Sequence, residues 1–233
     1  MAAWLSIINA APLLIIAVRS RKLFPECRLR VSYMVDWFRI KQLLGFSGWR
    51  FFGMLGFLAR SQGIAILINT FFGPQRNAAW AVSNSIAGRA QNFANEVDVA
   101  FSPAITSAFG ARDYKLVHYF ANQCCKFSGV LILLMVIPLT LELPEIMRLW
   151  LEIPPEYSVG LCFFMLWSCV LGRLTSGHEI VISASGRIAL SQIFVGLCMG
   201  MTLVGSWFCC RAGFNLYALG WVYFAMTAAR SLI

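Results

Sequence analysis

Four arginines stand in stretches that are otherwise apolar: Arg50, Arg60, Arg89 and Arg173. Three acids, Glu96, Asp98 and Glu179, occupy stretches of the same kind. A charge at the centre of a bilayer costs about 2.5–3.5 kcal/mol on insertion scales, so such residues face a bundle interior or a water-filled space. Guanidinium groups offer several planar donors to a phosphate or carboxylate. The chemistry within reach is therefore recognition of an anion rather than bond making. His178-Glu179 begins like the zinc-binding H-E-x-x-H helix, but Ile182 stands where the second histidine belongs, and no metal site follows. The sequence has no Walker loop, no G-x-G-x-x-G after a strand and no G-x-S-x-G, so neither an enzyme nor a cofactor is expected.

The densest polar pattern lies between Asn77 and Phe109. Ser85, Arg89, Asn92 and Glu96 follow steps of four, three and four and share one helical face. Asn84, Gly88, Gln91, Asn95 and Asp98 form a neighbouring stripe. A face this polar cannot look at lipid. Three readings stand: an internal network with Arg89 answered by Glu96 or Asp98, a hydrated cavity wall that meets an anionic or sugar-bearing substrate, or residues nearer an interface than the span limits suggest. Elsewhere Gln62 and Asn69 are seven apart and share a face, with Arg60 on another side of that helix. Arg173 and Ser176 are paired at i, i+3.

The elements that must position these residues follow from composition. The chain has 233 residues, 59% hydrophobic and 12% charged, against about 25% charged in a soluble domain. A bilayer core of about 30 Å takes about 20 apolar residues per helix. Six complete candidate spans result: 1–18, 48–72, 77–109, 117–141, 159–184 and 189–210. A seventh, 214–233, stops at the last residue. The runs are continuous, unlike the short alternating strands of a barrel, so the expected fold is an all-α, polytopic transmembrane helical bundle. The eight cysteines lie mostly in apolar runs and read as small packing residues. Gly45, Gly48, Gly53, Gly56 and Gly63 thin the second span, and Gly196 and Gly200 form a G-x-x-x-G in the sixth; both are helix-contact patterns.

Charge orients the bundle. Arg19, Arg21, Lys22, Arg28, Arg30, Arg39 and Lys41 crowd one loop, and Arg112, Lys115, Lys126, Arg187 and Arg230 fall on the same side. Arg76, Arg148 and Arg211 lie opposite, beside Glu142, Glu145, Glu152 and Glu156. Basic loops are cytoplasmic, so the net charge of +9 is mostly a positive-inside bias and no nucleic-acid partner is expected. The first span then runs inward from outside, with no signal-peptide pattern. This is awkward at a bare methionine, so the chain is expected to be a piece of a longer protein.

Several short segments come in a telling order. Phe46-Ser-Gly-Trp49 opens a helix after the basic run Arg21-Lys-Leu-Phe-Pro-Glu-Cys-Arg-Leu-Arg30. Ile68-Asn-Thr-Phe-Phe-Gly-Pro74 ends that helix, and an Ala- and Asn-rich helix finishes with Phe101-Ser-Pro103. Leu149-Trp-Leu151, Pro155-Glu-Tyr157 and Ala184-Ser-Gly-Arg187 follow. This run resembles the polysaccharide flippases, the O-antigen-type exporters of lipid-linked oligosaccharides in the multidrug/oligosaccharidyl-lipid/polysaccharide exporter superfamily. The resemblance implies two lobes of six helices around a central cavity. Residues 1–18 would be the last helix of the first lobe, 19–45 a basic cytoplasmic linker, and 46–233 the second lobe. It also implies transport of a polyprenyl-diphosphate-linked oligosaccharide across the cytoplasmic membrane by alternating access. Arg60, Arg89 and Arg173 are then the expected cavity cations, Gln62, Asn69, Asn92 and Asn95 its polar lining, and Glu96 or Asp98 an ion-coupling site. The implied partners are the lipid-linked saccharide, membrane lipids, and first-lobe helices or another chain.

Two alternatives stand beside this expectation. A cation-coupled multidrug exporter of the same superfamily would favour an acidic, aromatic cavity, whereas four intramembrane arginines against three acids lean toward anionic cargo. An inactive fragment or membrane interaction module would expose its polar third span unless it pairs with another chain.

Overall fold

The computed structural model describes Ile16, Arg19 and residues 37–232. The first candidate span, 1–18, and the linker up to residue 36 otherwise lie outside the described residues. Residues 46–233 make up one compact unit. Every regular element among the described residues is an α-helix: α1 (Trp37–Phe72), α2 (Pro74–Gly110), α3 (Tyr114–Leu141), α4 (Leu143–Leu151), α5 (Ser158–Arg173), α6 (Ser176–Ala184), α7 (Ala189–Arg211) and α8 (Leu216–Arg230). The chain is an all-α bundle of membrane-spanning type. Backbone N–H and C=O groups find no water in hydrocarbon, so long uninterrupted helices satisfy them internally.

Three helical stretches are long and apolar enough to cross a membrane: Leu44–Phe72, Tyr114–Leu141 and Ala189–Arg211. Together α5 and α6 make a fourth, bent by 50° at their break. Six complete spans were expected; the first, 1–18, lies outside the described residues, and the remaining difference has two causes. With 37 residues, α2 is long enough, but its polar stripes leave it outside the apolar set. The fifth candidate, expected as one helix over 159–184, is interrupted at Leu174 and Thr175. Gly172, Thr175 and Gly177 are weak helix formers clustered there, and the buried side chain of Arg173 is claimed by another helix, as described below. At the C-terminal end, α8 has 15 residues.

Large apolar side chains cover the outside. Leu197, Met201, Val204 and Phe208 of α7, and Val130, Leu134, Ile137 and Leu141 of α3, are exposed along continuous stripes. In lipid such exposure is no penalty; inside and outside are separated by close packing. The interior shows it. Ala79, Ser83, Ala87, Ala90 and Ala94 are buried along one face of α2, and small side chains there let neighbouring helices come close. The same core holds Ile132 and Val136 of α3 with Leu161, Met165 and Leu166 of α5. The Ser83 hydroxyl donates toward the carbonyl oxygens of Ala79, 2.8 Å, and Ser158, 3.0 Å, tying α2 to the start of α5.

Two glycines are required by geometry. Gly73, the single residue between α1 and α2, has φ 86°, in the left-handed region that glycine adopts without strain. Pro74 then starts α2, where its missing N–H costs nothing. At Gly177, an added Cβ would lie 2.2 Å from the Ala121 carbonyl oxygen. Here the backbones of α6 and α3 meet with no room for a side chain. On the opposite flank, α1 approaches α7 through Gly56 and Gly196.

Candidate functional site

On α2 the inward stripe is the one through Asn84, Gly88 and Gln91. These three residues line a polar cavity of about 220 Å³, together with Arg60 of α1, Arg173 of α5, and Tyr223 and Arg230 of α8. Three arginines from three helices thus meet one small, partly open space between α1, α2, α5 and α8.

Each arginine is held differently. Arg60 is half-buried, and its guanidinium lies 4.7 Å from the Tyr223 ring centre and 5.6 Å from that of Phe57, a cation–π arrangement. Among the described residues it makes no ion pair. Arg173 is buried, and its Nη1 donates to Asp98 Oδ2 at 2.6 Å and to Asn95 Oδ1 at 2.8 Å. Asp98 Oδ1 also accepts from the Ser128 hydroxyl at 3.0 Å and lies 3.5 Å from the Cys124 thiol. Helices α2, α3 and α5 therefore converge on one carboxylate. Arg173 Nε and the Ser176 hydroxyl are buried without a hydrogen-bond partner among the described residues. Arg230 Nη2 donates to Glu179 Oε1 at 3.0 Å, a pair that is part-exposed.

The break after Arg173 makes this geometry possible. An unbroken helix would carry residues 174–184 straight on. The 50° bend instead turns α6 onto α3 at Gly177, and brings Glu179 to Arg230. His178 and Glu179 sit on a second hollow of similar volume, shared with Arg230.

The structure divides the residues singled out from sequence. Arg60 and Arg173 line the cavity, and Asn95 and Asp98 bind Arg173 from α2. Arg89 does not join them. With Ser85 it lines a separate, largely apolar groove of about 910 Å³ between α2, α3 and α4, where Glu142 and Trp150 also sit. The Arg89–Asp98 pairing considered above is replaced, because Arg173 holds Asp98. Nor is Arg89 paired with Glu96 among the described residues. Asn92 and Glu96 are exposed on the outward stripe. Gln62 and Asn69 are exposed on α1, on the same helical side as Phe51, Leu55 and Leu58, and face away from the cavity. Arg50 is placed apart too, donating to the Ser183 hydroxyl at 3.0 Å.

Sequence reasoning had set Arg230 among the flanking basic residues. Its spacing from Tyr223 and Thr227, seven and three residues, puts all three on one face of α8, and that face lines the cavity. The spacing was visible; the aromatic partner for Arg60 was not.

Compared with protein-family models, with curated proteins and with solved structures, the chain finds no match.

Proposed function

We propose that this chain forms the cation-bearing part of a membrane transporter that moves a polyprenyl-diphosphate-linked oligosaccharide across the cytoplasmic membrane by alternating access. The observation that carries the reading is the polar cavity on which Arg60, Arg173 and Arg230 converge within a bundle of membrane-spanning helices. A diphosphate carries several negative charges, and arginine meets phosphate with multiple charge-assisted hydrogen bonds. Asn84 and Gln91 add neutral donors and acceptors. At about 220 Å³ the cavity is smaller than the roughly 300–1,000 Å³ of pockets that enclose drug-sized ligands. It suits the charged headgroup, leaving the sugars and the polyprenyl chain to other surfaces.

In this reading the basic segment 19–45 faces the cytoplasm, in keeping with the positive-inside rule. The chain works with first-lobe helices or with another chain, and rocking of one lobe against the other exposes the site alternately to the two sides. No bond in the cargo is made or broken. The multidrug alternative fits less well. An organic cation needs free acids and open aromatic faces, whereas Asp98 and Glu179 are each paired with an arginine, and Arg60 lies over Tyr223.

The test is transport in cells whose surface polysaccharide depends on this chain. Arg60→Ala is expected to lower export about tenfold, the scale of losing one charge-assisted contact, with lipid-linked saccharide accumulating on the cytoplasmic side. Arg60→Lys should retain part of it. Unchanged export by Arg60→Ala overturns the reading, and extrusion of ethidium by the unaltered chain supports the multidrug alternative.

A further inference from the structure

We propose that Asp98 is a built-in competitor of the anionic cargo for Arg173, so that one carboxylate sets how tightly the cavity holds an anion and recovers the guanidinium when the anion leaves. This inference rests on the anion-binding reading of the cavity and deepens it.

Arg173 belongs to two neighbourhoods at once. It is the partner of Asp98 at 2.6 Å, and it is part of the cavity wall. Among the described residues its hydrogen bonds all come from Nη1, shared between Asp98 and Asn95, while Nε stays buried without an acceptor. A buried donor without a partner is costly, and native structures leave few of them. The guanidinium thus has donor capacity that Asp98 and Asn95 do not use.

Asp98 is equipped to let go. It keeps the Ser128 hydroxyl at 3.0 Å and the Cys124 thiol at 3.5 Å as donors whether or not Arg173 is bound. An arriving diphosphate offers more charge and more acceptor oxygens than a single carboxylate, and the planar guanidinium can meet two of them side by side. When the diphosphate departs, Asp98 recaptures Arg173, and the bundle never holds a buried cation without a counter-charge. Arg60 differs in kind. It rests on aromatic faces with no carboxylate partner among the described residues, so it attracts the anion steadily while Arg173 is exchanged.

The experiment is calorimetric titration of the full chain in detergent with farnesyl diphosphate, with thermal unfolding of each variant as a folding check. Asp98→Asn keeps the shape and an acceptor but removes the competing charge; it is expected to bind about tenfold tighter, the scale of a charged hydrogen bond. Ser128→Ala removes a donor that steadies Asp98 without Arg173, so Asp98 holds Arg173 harder and binding weakens about threefold, the scale of a neutral one. Arg60→Ala is expected to weaken binding without involving Asp98. A merely structural pair would not move affinity in opposite directions. If Asp98→Asn binds no more tightly than the unaltered chain while Arg60→Ala loses binding, the competitor role is overturned and the anion-binding reading stands. If neither the unaltered chain nor Asp98→Asn binds, both fall. If Asp98→Asn does not fold, unchanged binding by Ser128→Ala overturns the competitor role.

Discussion

The two polar stripes of α2 use similar residue types and end in different surroundings. Asn95 and Asp98 are half-buried and hold Arg173, while Asn84 and Gln91, though exposed, open onto the cavity. Ser85, Arg89, Asn92 and Glu96 turn outward; all four are exposed, and Arg89 faces a groove walled mainly by apolar side chains. Adjacent positions on a helix differ by about 100° of rotation, so Gln91 and Asn92, near-equal in chemistry and both exposed, open onto different spaces, Gln91 alone lining the cavity. Asn95 and Asp98 of the inner stripe have Arg173, Ser128 and Cys124 on neighbouring helices as partners. The outer stripe has none among the described residues, and a polar face in a membrane protein needs a neighbour. That neighbour is the position the proposed first lobe or second chain would fill.

The contrast can be broken by substitution. Asp98→Ala has the largest expected effect. It leaves Arg173 buried without its carboxylate, which costs about 3–5 kcal/mol when one member of a buried pair is removed; denaturant unfolding in detergent should show it, and a smaller loss would mean that Asn95 suffices. Next comes Gly177→Ala, where the new methyl meets the Ala121 carbonyl. Overpacking of this kind costs about 1–3 kcal/mol, and the melting temperature of the variant is the measurement. Glu96→Gln on the outward stripe is expected to change stability of the isolated chain by less than about 0.5 kcal/mol. A larger loss would show that the outward stripe already has a partner within this chain.

Much of this arrangement could be read from residue spacing, and the limit of legibility is physical. The steps of three and four that define both stripes of α2 are local, as are the apolar runs of α1, α3 and α7. Which stripe turns inward is not local. It depends on Arg173, 75 positions from Asp98, and on a break in α5 that hydropathy does not reveal because both sides of it are apolar. Gln62 and Asn69 share a face as expected, but nothing in α1 alone says that this face carries Phe51 and Leu58 to the outside. Arg230 was legible as a neighbour of Tyr223 and Thr227, yet its place beside Arg60 required the approach of α8 to α1. The short amphipathic helix α4, with Leu149 and Trp150 exposed, shows in the sequence only as a cluster of acids around Arg148 and the segment Leu149-Trp-Leu151.

The distance along the chain between Asp98 and Arg173 also has a meaning in time. A ribosome adds about 5–20 residues per second, so with 75 positions between them the carboxylate is made roughly 4–15 s before its arginine. During that interval Asp98 lacks the arginine that pairs with it in the fold, on a helix outside the apolar set. The Asp98–Arg173 pair therefore closes only after α3 and α5 have both been made. The contact that ties α2 to α5 is thus a late one, supplied by a residue far downstream of the helix it holds.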